Sequence, residues 1–146
     1  MTYIIRKATE TDFEKLIVLI TEFSLFEKLP ERMTNTAERM RKEQDFFHCY
    51  IAETNEKEIV GYVIFFHFYL SWTGKSLYMD DLYVKETHRG NEIGTRLINK
   101  AIEFAKETEC HKLRWQVSEW NKNAIQFYQH LGAYIDEDER NCTLDF

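Results

Sequence analysis

The chain has 146 residues, enough for one domain with a core that needs no covalent staples, and 44% hydrophobic with 15% aromatic residues mark it as globular rather than disordered. A net charge of −6, from 19 Lys+Arg against 25 Asp+Glu, argues against a phosphate-backbone partner and would attract a small cationic ligand, although from composition alone plain solubility is the simpler reading. No apolar run approaches the roughly 20 residues a membrane helix needs, and the opening MTYIIRKATE lacks the pattern of a secretory signal. Cys49, Cys110 and Cys142 are odd in number and far apart, which fits a reducing cytoplasm and not a disulfide framework.

In chain order, residues 3–8 (YIIRKA) predict a strand. Thr9 or Thr11 then caps a helix whose Phe13, Leu16, Ile17, Ile20 and Phe23 recur at helical period, Thr11 with Glu14 having capping-box spacing. A connection ends at Pro30 and a short polar helix follows over 34–44. Residues 46–53 and 59–70 predict two strands joined by the polar turn 54–58 as a hairpin. Residues 76–84 (SLYMDDLYV) predict a third central strand. After the loop HRGNEIG, Ile93, Leu97, Ile98, Ala101, Ile102 and Ala105 form one apolar helical stripe. A strand is expected over 112–119, a helix over 121–132 with Asn121 as cap and Gly132 as stop, and closing strands at 133–135 and 142–146. The order β-α-α-β-β-β-α-β-α-β-β describes one α/β (α+β) domain over 1–146, a mixed sheet flanked by helices.

Two places carry chemistry. A helix opening at Asn91 or Glu92 leaves its first N–H groups unpaired, at the positive end of its dipole. Gly90 and Gly94 permit close approach of backbone to a ligand, and Arg89 suits a phosphate. An ordinary strand-to-helix turn would use the same glycines. Asp80 and Asp81 stand together in an otherwise apolar strand; regular alternation sends them to opposite faces unless a bulge intervenes, and a solvated strand end is the plainer explanation. Tyr128 shares a helical face with Ala124, Ile125 and Leu131, as a core tyrosine does. His48–Cys49 and Cys110–His111 are adjacent pairs without zinc-site spacing, so no metal is expected.

HRGNEIGTRL resembles the acyl-coenzyme-A loop of the GNAT superfamily of N-acetyltransferases, Arg/Gln-x-x-Gly-x-Gly/Ala, with Glu92 in place of the first motif glycine. EWNKNAIQFYQHLGA, residues 119–133, resembles the family's Asn-x-x-Ala/Ser-x-x-Phe-Tyr segment, and SLFEK, FFHCYIAE, SWTGKSLYMDDLYV and SEWN resemble its diamine branch, the spermidine/spermine and thialysine acetyltransferases. The resemblance covers almost the whole chain and is weakest at its C-terminal end.

The resemblance implies the GNAT fold, a twisted, mostly antiparallel mixed sheet with helices on both faces. It implies acetyl transfer from acetyl-CoA to a primary amine of a small cationic acceptor (diamine, polyamine or thialysine-like) in a ternary complex. Another amine, from an amino acid or a drug, and a CoA-binding module without catalysis are the alternatives. The implied base is Asp80, standing where the branch is expected to carry Glu, with Tyr128 as the acid towards the thiolate. The implied cofactor contacts are Leu82, Tyr83, Val84, the run Arg89, Gly90, Asn91, Glu92, Ile93, Gly94 and Thr95, and then Asn121, Asn123 and Ala124. Phe26, Glu27, Trp72, Asp80, Asp81 and Glu139 are the implied substrate contacts, and a homodimer is the implied assembly; the cysteines, the net charge and the lack of a long apolar run carry the separate expectation of a cytoplasmic protein with neither nucleic-acid nor membrane partner. Glu92 is expected to point to solvent, so that only backbone N–H groups face the ligand.

Overall fold

The computed structural model describes residues 2–146, and the chain divides into two compact units, Met1–Gln116 and Val117–Phe146. In the first unit, five strands run in the order β1 (Tyr3–Lys7), β2 (His48–Thr54), β3 (Ile59–Leu70), β4 (Gly74–Val84) and β5 (Leu113–Arg114). The β1–β4 neighbours are antiparallel and β5 joins β4 in parallel, so the sheet is mixed and mostly antiparallel. The expected hairpin is present, with the Thr54 N–H donating to the Glu58 carbonyl at its turn.

Helices cover both faces. Helix α1 (Phe13–Phe26) buries Phe13, Leu16 and Leu19 with Met40 of α2 (Ala37–Lys42) against Cys49, Ile51, Tyr62 and Tyr83 of the sheet. Helix α3 (Ile93–Glu107) lays the expected stripe, Ile93, Leu97, Ile98, Ala101 and Ala105, on the opposite face, where Phe104 packs on Phe65 at 5.2 Å between ring centroids. Strand alternation separates the two cores: Tyr62 faces α1 while its neighbour Gly61 faces α3. A Cβ on Gly61 would stand 3.0 Å from the Tyr83 carbonyl oxygen and 3.2 Å from Leu97 Cδ1, so glycine there sets how closely α3 sits.

Three local expectations are corrected. The capping box uses Thr9 and Asp12, not Thr11 and Glu14: the Asp12 carboxylate accepts the Thr9 N–H at 2.8 Å, ahead of a 3-10 turn that leads into α1. The strand expected over 112–119 shrinks to Leu113–Arg114, the two residues in register with Leu77 and Tyr78. Residues 133–146 contain no strand, because alternation marks a potential strand and only a neighbouring backbone makes one. In the second unit, α4 (Lys122–His130) is capped by the Asn121 side chain, which accepts the Ala124 N–H at 3.2 Å, and ends before Gly132 at φ +92°.

Candidate active site

The register of β4 answers whether Asp80 and Asp81 must point apart. Ile64 pairs with Asp81 and Phe65 with Met79, so Asp80 is the extra residue of a β-bulge. Backbone hydrogen bonds on either side confirm the change of phase. Leu77 donates its N–H across to Lys112 on the β5 side, whereas Lys85 donates to Val60 on the β3 side, although regular alternation would aim both the same way. Past the bulge, the N–H groups of Leu82 and Val84 therefore point to the edge that β5 has left open. The Val84 carbonyl, on that same edge, accepts from Arg89 Nε at 2.9 Å.

Asp81 lies on the α1 face, two residues from Tyr83 and cross-strand from Ile64. Its Oδ2 accepts from Tyr62 Oη at 2.8 Å. Burial, then the charges of Asp80 and Glu27, push its carboxyl up to about 7 against the opposing hydrogen bond from Tyr62. Asp80 reaches solvent, yet desolvation by the surrounding protein raises it as well. Burial and these two acids together raise the Tyr78 phenol. The bulge thus sets Asp80 beside Asp81, and the charge of Glu27 after α1 acts on the same carboxyl, so the site is electronegative and suits a small cation.

Beside this group, Phe26 ends α1 and Glu27 follows as its C-terminal cap. The Arg89 guanidinium lies 4.8 Å from the Phe26 ring centroid and 5.7 Å from that of Tyr83, so the arginine read from sequence as a phosphate ligand stacks on the aromatic wall next to the acids. Tyr83 packs on Phe23 and donates to Glu22 at 2.8 Å.

Arg89 leads into Gly90 (φ +81°), where an added Cβ would meet nothing within 4 Å. The Asn91 side chain donates to the His88 carbonyl, and Glu92, left-handed at φ 61°, is the N-cap of α3. The first bond into the helix runs from Arg96 N–H to the Glu92 carbonyl, which leaves the N–H groups of Ile93, Gly94 and Thr95 without intrahelical acceptors. Glu92 is solvent-exposed and occupies the backbone conformation that the motif glycine would adopt without strain.

The remaining predicted residues are Trp72 and those of the second unit. Trp72 is 97% exposed in the turn between β3 and β4, eight residues along the chain from Asp80, and is not brought to the acids within its own chain. Asn121, Asn123, Ala124 and Tyr128 belong to α4 or its cap in the second unit, with Tyr128 buried and its ring 5.5 Å from that of Phe127. Glu139 is exposed in the irregular segment after α4. Sequence reading missed Tyr62, whose phenol touches the acid pair. It reads as one more aromatic of an apolar strand, and only the register sets it diagonal to Asp81. Among the described residues, no group of three or more His, Cys, Asp or Glu side chains is arranged to hold a metal ion, and no helix is long and apolar enough to cross a membrane.

A mixed sheet with an opened edge leads directly into a helix whose first N–H groups lack intrahelical acceptors. The chain superposes with a TM-score of 0.81 on an aminoglycoside acetyltransferase from an uncultured soil metagenomic sample, at 20% identity over 99% of this chain and 100% of the other, which shows the fold. The profile of the Acetyltransferase (GNAT) family matches residues 2–133. A thialysine N-epsilon-acetyltransferase of Mus musculus is 36% identical over 140 residues, 88% of this chain and 82% of the relative. A spermidine/spermine N(1)-acetyltransferase-like protein 1 of Homo sapiens is 31% identical over 139 residues, 88% of this chain and 20% of that longer protein. The chain belongs to the GNAT family and is an N-acetyltransferase.

Proposed function

We propose that this acetyltransferase acts as one domain and moves an acetyl group from acetyl-CoA directly to a primary amine of a small cationic acceptor of the diamine, polyamine or thialysine class. The observation that carries the acceptor assignment is the bulge that turns Asp80 and Asp81 into one acidic site beside Glu27. The names of the similar thialysine and spermidine/spermine acetyltransferases support the same class.

The chain's own groups suit the cosubstrate. The N–H groups ahead of the first bond of α3 and the open space at Gly90 accommodate a diphosphate, with the side chain of Glu92 turned to solvent. The outward N–H groups of Leu82 and Val84 suit the thioester oxygen and the adjoining amide chain. Acetyl-CoA supplies the activated acyl group as a thioester.

An alkylammonium has a pKa of ~10.4, so freeing the amine at pH 7 costs about 4–5 kcal/mol. Asp81, held by Tyr62, anchors the ammonium. Asp80, solvent-exposed and desolvated enough to be more basic than an ordinary carboxylate, takes its proton directly or through water. The amine nitrogen forms its bond to the acyl carbon as the carbon–sulfur bond breaks, and Tyr128 gives a proton to the departing thiolate; the second proton, which the nitrogen sheds as it becomes an amide, goes through water to restore the Tyr128 phenol, while the first stays on Asp80 until solvent removes it. No acyl-enzyme forms. We read the enzyme as a homodimer, as the diamine-branch resemblance implies, and as cytoplasmic, as its three unpaired cysteines suggest; exposed Tyr69 and Trp72 near the β3–β4 turn support a self-association surface.

The test is thiol release from acetyl-CoA across a panel of amines: spermidine, putrescine, thialysine, neutral amino acids and an aminoglycoside. Turnover with the small multiply charged amines at a kcat/KM at least tenfold above the rest is expected. Turnover only with the others transfers the enzyme to another acceptor class, and acetyl-CoA binding without release from any amine identifies a non-catalytic module.

A further inference from the structure

Resting on the acceptor-site reading above, we propose that Tyr62 is a positioning residue for acceptor binding: its phenol, inside the α1-side core, fixes the Asp81 carboxylate and keeps it ionised for the amine. Tyr62 is fully buried and its hydroxyl donates to Asp81 Oδ2 at 2.8 Å. A buried hydroxyl needs a partner, so the ring's packing between the Cys49 strand and α1 determines where one carboxylate oxygen sits. That leaves Oδ1 as the oxygen for the ligand. Tyr62 therefore couples a rigid core position to the mouth of the site.

The surroundings make this bond consequential. The groups acting on Asp81 from the elements around it are Asp80 on β4 and Glu27 after α1, and a negative charge on either raises it. The Cys49 thiol on β2 and the Tyr78 phenol on β4 each feel its charge and are raised by burial together with it. Arg89 stacks on the neighbouring wall of Phe26 and Tyr83, and Tyr83 itself is tied to Glu22. Tyr62 is the hydrogen-bond donor that opposes the acids' mutual repulsion, because donation to a carboxylate favours its charged form. With it, Asp81 is ionised over a wider span of neutral pH; without it, Asp81 takes up a proton and loses its hold on an ammonium.

The experiment compares wild type, Tyr62→Phe and Asp81→Asn by the pH dependence of KM and kcat for the best amine of the panel, and by carbon NMR titration of the aspartate carboxyls. In Tyr62→Phe, the Asp81 titration and the acidic limb of 1/KM are expected to move up together by about one pH unit, a roughly tenfold rise in KM near pH 6.5 that vanishes by pH 9, with kcat nearly constant. Asp81→Asn is expected to lose that limb, and adding Tyr62→Phe to it to change KM less than twofold. A structural role alone would lower stability and leave the limb in place. An unmoved limb in a folded Tyr62→Phe enzyme, or a moved Asp81 titration with an unmoved limb, overturns the proposal. A limb untouched by Asp81→Asn overturns the acceptor-site reading itself.

Discussion

Replacing Asp81 by Asn is expected to make the protein more stable above neutrality while leaving it nearly unchanged in acid. An unfolded aspartate titrates near ~3.9, and in the fold burial and the neighbouring acids raise Asp81 to about 7. Between those two values the folded state retains a proton that the unfolded state has released, so unfolding free energy falls as pH rises, and the loss is complete above the folded pKa. The distance between the folded and unfolded values sets a ceiling of about 4 kcal/mol. Partial solvent access and sharing of the proton with Asp80 reduce the expected effect to roughly 2 kcal/mol. The Asn side chain still accepts the Tyr62 hydroxyl, so no buried donor is orphaned. Urea unfolding at pH 4 and pH 8.5 is the assay, the two proteins having equal slopes. Asp81→Asn should match wild type at pH 4 and exceed it at pH 8.5. A variant that is less stable at both values by the same amount would rule this out, because Asp81 would then be a net stabilising anion.

Glu92→Gly relieves a left-handed non-glycine residue and should stabilise the fold by up to about 1 kcal/mol in thermal or urea unfolding; calorimetric CoA affinity should change less than tenfold, since the carboxylate faces water. Arg6→Met removes the guanidinium that bridges Asp12 and Glu53 at 2.8 Å each and should cost about 1–3 kcal/mol, since it leaves Asp12 with its Thr9 hydrogen bonds and Glu53 with only the longer Lys57 contact at 3.6 Å. Arg6 holds Asp12 down to about 2, so the stability Asp12 contributes is present above the unfolded value near ~4 and lost as pH falls through about 2; the variant should lack that acid transition in a pH-unfolding series. Tyr128→Phe should lower kcat by about 10²–10⁴-fold with unchanged circular dichroism, and an unchanged kcat would remove its acid role.

How much of this was legible in the sequence depended on whether the signal was local. The α3 stripe, the Asn121 cap and the β2–β3 hairpin follow from periodicity and capping chemistry within a dozen residues. The acid pair was visible as an oddity, two aspartates in an apolar strand, yet its geometry was not, because a bulge is a relation between β4 and β3. Tyr62 was hidden for the same reason. Glu92 was conspicuous as a departure from a glycine motif, and the backbone there is left-handed at φ 61°, the conformation a glycine adopts without strain. The closing strands failed because residues 133–135 and 142–146 carry strand-like composition, and composition alone does not make a strand without a paired backbone.

The role of Asp80 as the base is tested by the single-turnover rate of acetyl transfer to spermidine in wild type and in Asp80→Asn, measured from pH 6 to pH 10 with acetyl-CoA saturating. A rate at least 100-fold lower in the variant is expected at pH 7, with the gap narrowing towards pH 10 as the amine loses its proton unaided. Equal rates at pH 7 would remove Asp80 from the chemistry.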